Sequence, residues 1–91
     1  MHVTGPIELS QNAQRQAEAR GVSLDEIVDV VRTGPWRVGR TGWRESRKNY
    51  PCVRRWAGVL CDTKQVRAVF VVEPARIVVV TVYGYLVRTR P

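Results

Sequence analysis

The C-terminal half of the chain is dominated by β-branched residues, and this feature limits the possible folds most. Three runs rich in Val and other strand-forming residues cover residues 53–61, 66–73 and 77–86. The segments between them, residues 62–65 and 74–76, have the length and composition of hairpin turns. In the last two runs both alternating faces are largely apolar, which is typical of strands covered on both sides or by a helix layer on one. The sequence therefore predicts antiparallel strands joined by hairpins.

Two segments that precede these runs have helical character. Residues 10–20 are rich in Ala and Gln, and Gly21 stands where a left-handed residue commonly ends a helix. Ser23 and Glu26 have the spacing of a capping box, and the apolar residues that follow recur at helical intervals. The pattern predicts a second helix over residues 23–32, which the Gly-Pro pair that follows ends.

The remaining segments complete the predicted architecture. Gly, Asn and Pro interrupt residues 35–51, which indicates loops around one or two short strands. The expected fold is α+β, with two N-terminal helices packed on a curved antiparallel sheet of three to five strands. The 91 residues contain no linker or repeat, so residues 1–91 are expected to form one domain. Residues 1–9 are expected to be a flexible start, and residues 86–91 either continue the last strand or form a basic tail.

The strongest charge signal lies in the middle of the chain. The net charge is +7, and eight of the fifteen Lys and Arg residues fall within residues 32–55, where Trp36, Trp43 and Tyr50 are interleaved and Glu45 is the only acidic residue. Arg and Lys neutralise phosphates and aromatic rings stack unpaired bases, so this segment favours single-stranded RNA or DNA. We predict that Trp43 or Tyr50 stacks a base, and that phosphates are held by Arg44, Arg47, Lys48, Arg54 or Arg55. The alternative is a solvated basic loop whose aromatic residues belong to the core.

Other kinds of site receive little support from the sequence. Cys52 and Cys61 lack Cys-x-x-Cys spacing and only His2 could join them, so no metal is expected. If residues 52–61 form one strand, the thiols point to opposite faces, which predicts two buried reduced thiols rather than a disulfide. No secretory signal is recognisable, and the longest apolar stretch is far shorter than the roughly 20 residues needed to span a bilayer, so a soluble protein is expected.

Two polar patterns could carry chemistry. Strand alternation places Thr81 and Tyr83 about 7 Å apart on one face of the last strand. Val79 and Tyr85 are predicted to share this face, and Val82 is predicted to lie on the other face. A hydroxyl and a phenol in this position could bind a phosphate and transfer protons, although Thr and Tyr are also simply good strand formers. One side of the first helix is polar, and this side is either solvated or lines a cleft against the sheet. Its residues are Asn12, Arg15, Gln16, Ala19 and Arg20.

The available side chains exclude most hydrolase chemistries. No Ser-His-Asp arrangement, pair of carboxylates, metal cluster or Gly-rich phosphate loop is recognisable. RNA cleavage by attack of the RNA's own 2′-hydroxyl remains compatible, because it needs only proton-transfer groups and cations around a phosphate. This chemistry requires no cofactor.

Three segments near the two ends of the chain carry a recognisable pattern. They are Asn-Ala-Gln-Arg at residues 12–15, Arg-Gly-Val-Ser-Leu-Asp-Glu-Ile at residues 20–27 and Val-Val-Thr-Val-Tyr at residues 79–83. Together they resemble a family of small RelE-like domains of unassigned function, grouped with the barnase–EndoU–colicin–RelE (BECR) ribonuclease toxins. That family shows His-Ala-x-x-Arg, then Arg-Gly-(Ile/Val)-Ser-x-x-Glu-Ile, then a closing Val-x-Thr-Val-Tyr-like strand. Residues 35–53 show no such similarity.

The resemblance implies RNA as the substrate and a cleft between the first helix and a sheet of four or five strands. The positions of this chain that match the family's motifs imply three site residues, which are Arg15, Thr81 and Tyr83. The resemblance implies that Arg15 stabilises charge on the scissile phosphate. Where the family has His, this chain has Asn12, whose amide cannot transfer a proton at pH 7 as an imidazole can. Three alternatives follow from this difference. The chain is a relative that only binds RNA, a form in which Asn12 replaces a toxic His, or a nuclease that uses Arg, Lys and Tyr groups for catalysis.

We therefore predict a metal-independent ribonuclease-type bacterial toxin domain that cleaves single-stranded RNA, either tRNA or mRNA, and is attenuated if Asn12 removes the proton-transfer group. The alternatives are a non-catalytic RNA- or ribosome-binding module of the same fold and a domain that binds only an acidic protein. The resemblance implies that the domain acts in the bacterial cytoplasm. It also allows the domain to be the C-terminal part of a secreted effector. It further implies an acidic immunity or antitoxin partner, which a basic domain binds rapidly.

Overall fold

The computed structural model describes residues 5–39, 42–56 and 58–88, with the backbone alone at Trp56. Within these ranges the elements are β1 (Ile7–Leu9), α1 (Gln11–Arg20), α2 (Leu24–Thr33), β2 (Trp36–Val38), β3 (Arg44–Trp56), β4 (Val59–Val72) and β5 (Ile77–Val87). The strands form one sheet in the order β1-β5-β4-β3-β2. The helices pack with one face of this sheet into a single core. The predicted α+β fold is confirmed.

The two helices begin and end where their capping residues predict. Ser10 caps α1 by accepting a hydrogen bond from the backbone of Ala13, and Gly21 ends the helix in the left-handed conformation with φ of 65°. Ser23 and Glu26 form the complete capping box of α2. Every described residue of the hydrophobic core comes from these helices, the turn between them, or one face of β4 and β5.

The first strand makes the sheet mixed rather than wholly antiparallel. Residues Ile7–Leu9 pair in parallel with the start of β5, while the other strand pairs are antiparallel. The prediction of a flexible start is therefore wrong for these three residues; residues 1–4 lie outside the described ranges. With three residues β1 is too short to show an alternating pattern, and only the tertiary pairing with β5 reveals it. At the other end β5 continues to Val87, and residues 89–91 lie outside the described part.

The first predicted hairpin is wrong. Residues 62–65 lie inside β4, and the chain reverses instead near Gly58, which has φ of 78°. The polar residues of this stretch resemble a turn only because their partners come from distant parts of the chain: Lys64 binds Glu26 of α2 at 2.8 Å, and Gln65 binds Asn49 of β3 at 3.1 Å.

This correction also changes the description of the cysteines. Cys52 belongs to β3 and Cys61 to β4, so residues 52–61 are not one strand. Both thiols are free, as predicted, with Cys61 buried and Cys52 only half-buried. Of the one or two short strands predicted within residues 35–51, β2 is one, but the residues from Arg44 onward belong to the long β3, which runs to Trp56.

A bulge in β5 changes which residues face the helices. Val69 of β4 is opposite Thr81, but the next residue, Phe70, is opposite Val79, so one extra residue is inserted in β5. Val79 and Val82 are consequently both fully buried. The predicted common face is wrong for Val79, which lies in the core. Thr81 and the two tyrosines that follow it remain on the face opposite Val82.

None of the helices in the described ranges has the length and apolarity needed to cross a membrane.

Candidate functional site

The sheet face opposite the helices is the candidate site, and we call it the open face. No element among the described residues covers it. Strand alternation places polar and aromatic side chains at the centre of this face, beside the half-buried Val69 and Val71 of β4, while the fully buried residues of the same strands point into the core. Its charged, hydroxyl and aromatic residues include Glu45 and Arg47 of β3, Arg67 of β4, and Thr81, Tyr83 and Tyr85 of β5.

Tyr83 is at the centre of a cluster of cations and aromatic rings. The guanidinium carbons of Arg20 and Arg67 each lie 5.0 Å from the centre of its ring, and the ring of Tyr85 stacks on it at 6.2 Å with an interplanar angle of 4°. Arg67 also binds Glu45 at 2.7 Å, yet its buried Nε–H has no hydrogen-bond partner in the part of the chain described. Buried donors without a partner are rare in folded proteins. The cluster concentrates positive charge around one phenol.

The polar side of α1 lies against the free edge of β5. Since β1 pairs only with the first residues of β5, the backbone beyond them needs other partners. Asn12 donates to the carbonyl of Val80 at 3.1 Å. The Gln16 side chain accepts from the Val82 N–H at 3.0 Å, and Arg20 donates to the Val82 carbonyl at 2.7 Å. The sequence left two interpretations open, and each holds for part of this side: Asn12, Gln16 and Arg20 line the edge of the sheet, while Arg15 and Ala19 are exposed.

This packing brings together residues from opposite ends of the chain. The Asn12 amide donates to Thr81 Oγ1 at 3.3 Å, although 69 positions separate the two residues. Tyr83 follows on the same face of β5. Arg15 is exposed on α1 and makes no hydrogen bond or ion pair with the described residues. Asn12 and Thr81 thus meet, Tyr83 is adjacent, and Arg15 is available at the surface.

The predicted RNA-binding residues do not form one surface, because neighbours on β3 point to opposite faces. Arg47 is exposed on the open face. Lys48 and Tyr50 point the other way and both contact Asp29 of α2, at 3.0 and 2.6 Å. Hydrogen bonds from Tyr50 and Lys48 lower the pKa of Asp29. Burial and Asp29 raise the pKa of the Tyr50 phenol. Both residues therefore attach α2 to the sheet.

The other predicted RNA-binding residues lie at the two ends of β3. Trp43 is 46% exposed immediately before the strand, and Arg44 lies over the ring of Trp36 at 5.9 Å. Arg54 and Arg55 are exposed near the far end of the β3–β4 hairpin. A groove of about 850 Å³ lies along this end, lined in part by Pro51, Val53 and Leu60, but none of the predicted catalytic residues borders it.

Sequence reasoning did not assign site roles to Arg20, Arg67 or Tyr85. A signal existed for Arg67, which is the only charged residue in the apolar run from Val66 to Val72. Alternation had already placed Tyr85 beside Tyr83. For Arg20 no local signal exists, since its position over Tyr83 depends on how α1 packs on β5. No three His, Cys, Asp or Glu side chains in the described ranges lie close enough together to hold a metal ion.

These features define a small α+β domain with helices on one face of its sheet and a basic, aromatic site on the other. Residues 9–84 match the family model DUF4258, described as a domain of unknown function. The chain belongs to this family. The match includes Asn12, Thr81 and Tyr83 and ends just before Tyr85. No curated protein and no solved structure matches the chain.

Proposed function

We propose that this domain is a metal-independent ribonuclease-type toxin domain that acts on single-stranded RNA at the open face. The observation that carries the proposal is the contact between Asn12 and Thr81 beside Tyr83, whose ring lies near two guanidinium groups. A phosphate diester in this position would meet cations, a hydroxyl and a phenol together. These are the groups that RNA cleavage through the 2′-hydroxyl requires.

The proposed reaction is an internal transesterification. The 2′-oxygen of the RNA loses its proton and forms a bond to the adjacent phosphorus, while the bond from phosphorus to the 5′-oxygen breaks and that oxygen takes up a proton. Arg20, Arg67 and the exposed Arg15 are suited to stabilise the negative charge that develops on the phosphate. The Thr81 hydroxyl and the Tyr83 phenol can each donate and accept a hydrogen bond with the reacting oxygens.

Asn12 limits the proposed rate. Its amide can hydrogen-bond a phosphate oxygen but cannot exchange a proton with the reacting groups near pH 7. We therefore expect attenuated cleavage. The same residue favours the second candidate function, a non-catalytic RNA- or ribosome-binding module, because its amide already satisfies Thr81 and the Val80 carbonyl without any proton chemistry.

A toxin of this kind would act in the bacterial cytoplasm and be neutralised by an acidic immunity or antitoxin protein. The net charge of +7 supports such a partner, because opposite charges accelerate association and make it dependent on salt.

The test is a total-RNA digest in the presence of EDTA with the wild-type protein and the Asn12→His and Thr81→Val variants. Asn12→His should raise the cleavage rate by about 10² to 10⁴, with a pH dependence near the imidazole pKa of about 6.5, because a proton-transfer group is then present. The products should end in a cyclic phosphate. Thr81→Val should abolish cleavage and preserve the melting temperature.

The matched control is Gln11→His, which adds an imidazole to an exposed position beside Asn12 that makes no hydrogen bond with a described side chain. It should leave the rate unchanged. If folded Asn12→His protein binds RNA but cuts none, the ribonuclease proposal fails and the binding module is correct. If neither protein binds RNA, both candidate functions fail.

A further inference from the structure

A second groove adjoins the open face at the C-terminal end of α1. Residues 18–21 form one wall, residues 84–86 of β5 form the opposite wall, and Arg54 reaches it from the β3–β4 hairpin. Its volume of about 630 Å³ falls within the range of roughly 300–1,000 Å³ typical of ligand sites. Its position suggests that it extends the site around Tyr83.

The groove and the Tyr83 cluster share two residues. Tyr85 lines the groove and is 44% exposed, and its ring is stacked parallel to that of Tyr83. Arg20 also lines the groove while its guanidinium lies over Tyr83. Since successive bases of a single strand can stack on successive aromatic rings, a strand bound at Tyr83 would pass directly over Tyr85.

The charge of the groove favours a polyanion. Arg20 and Arg54 are exposed, and Arg54 forms no ion pair with the described residues. Glu18 is the only carboxylate among the described residues of the lining, so the cations there outnumber it. The groove therefore offers two cations and the ring of Tyr85 to a polyanion.

The floor of the groove is held close to the helices. A Cβ added at Gly84 would lie 2.8 Å from Val22 Cγ2 and 3.3 Å from the Arg20 carbonyl, so the turn between α1 and α2 rests directly on the β5 backbone. This contact fixes Arg20 relative to Tyr85 and gives the groove a defined width.

From this geometry we propose that the groove is a second nucleotide subsite, where Tyr85 stacks a base and Arg54 and Arg20 hold the phosphate next to it. The single strand thus runs along β5 from Thr81 toward Arg54. The inference rests on the proposed RNA-binding function of the open face and specifies how far the bound strand extends.

The experiment measures the binding of fluorescein-labelled, fully 2′-O-methylated RNA of two and eight nucleotides, which cannot be cleaved through the 2′-hydroxyl. Tyr85→Leu should weaken binding of the octamer by about 5- to 150-fold, since it removes base stacking but keeps an apolar side chain. Arg54→Ala should also weaken it and flatten the log–log salt dependence by about 0.7. Binding of the dinucleotide should change little in both variants.

Arg37→Ala is the matched control, because it removes the same charge from an exposed position on the edge strand β2 that does not line the groove. It should leave the octamer affinity closer to wild type than Arg54→Ala does. Equal losses in the two arginine variants, or an unchanged octamer affinity in folded Tyr85→Leu protein, would overturn the subsite while leaving RNA binding intact. If wild-type protein binds neither RNA, the proposed function itself fails.

Discussion

Asp29 shows how a single residue links the helix layer to the sheet. Its carboxylate accepts hydrogen bonds from Tyr50 and Lys48 of β3, and a third from Thr33 within α2. These contacts explain why two residues that look suited to RNA in the sequence point away from the open face. They also lower the pKa of Asp29, with the Tyr50 hydrogen bond as the largest cause.

The lowered pKa predicts how stability depends on pH. Because the folded protein holds the Asp29 proton less tightly than the unfolded chain, the stabilisation is fully present above the unfolded pKa of about 3.9. It is lost as the pH falls through the lower folded value. Asp29→Asn should therefore lower the melting temperature most above pH 4, with the difference from wild type shrinking in more acidic solution. Thermal melts from pH 7 to pH 2 measure this.

The control for this prediction is Asp25→Asn, which removes an exposed carboxylate from the same helix. The difference in melting temperature between Asp25→Asn and wild type should change less over the acidic range than the difference for Asp29→Asn. A constant difference between wild type and Asp29→Asn at every pH would contradict the assignment.

At the scale of elements, α1 acts as a cover for the free edge of β5. Small residues allow this close contact, since the buried positions of the helix are Ala13 and Ala17. Gln16 and Arg20 together take both backbone groups of Val82, so the strand needs no further neighbour along this part of its edge. The same packing carries Asn12 to Thr81, so the helix that stabilises the sheet also assembles the candidate site.

Removing the Gln16 amide tests this cover. Gln16→Ala leaves the Val82 N–H without its partner, which should cost about 1 kcal/mol and lower the melting temperature by roughly 4–8 °C for a domain of this size. Gln11 lies on the same helix but makes no hydrogen bond to the β5 backbone, so Gln11→Ala should change the melting temperature much less. Equal melting temperatures for the two variants would show that water satisfies this edge.

On the scale of the whole molecule, the cations differ in whether they have an ion-pair partner, and Arg67 on the open face is one of the paired ones through Glu45. Those on the helix side, such as Lys48 and Lys64, form ion pairs with α2. Exposed arginines without an ion pair to the described residues include Arg15, Arg47 and Arg54, and of these Arg47 lies on the open face. Net charge alone does not reveal this division, since every cation contributes equally to it.

The adjacent residues Arg47 and Lys48 form a matched pair for testing the division. Arg47→Ala should weaken RNA binding and flatten the log–log salt dependence by about 0.7, because one phosphate contact is lost, with little change in melting temperature. Lys48→Ala should lower the melting temperature, because Asp29 loses its ion-pair partner, and should affect RNA binding less. The reverse pattern would place the RNA on the helix side.

The local signals of the sequence were sufficient for the helices and for the α+β class. Ser10, Gly21, Ser23 and Glu26 act within one turn of the backbone that they cap, so neighbouring residues alone determine those boundaries. The hairpin at residues 74–76 is equally local, as the hydrogen bond from Glu73 N–H to the Arg76 carbonyl shows. The helix boundaries and the last strand could be predicted for this reason.

The remaining features depend on contacts between distant residues. Ile7–Leu9 becomes a strand only by pairing with β5, and the polar residues 62–65 stay in β4 because Glu26 and Asn49 bind them. The bulge that moves Val79 into the core has no signal in the local pattern of Val and Thr. The sequence itself determined the helices, the apolar strands and the candidate pair Thr81 and Tyr83. Only the tertiary structure decided that Arg20 and Arg67 join that pair while Lys48 and Tyr50 turn away, because strand register and helix packing set those distances.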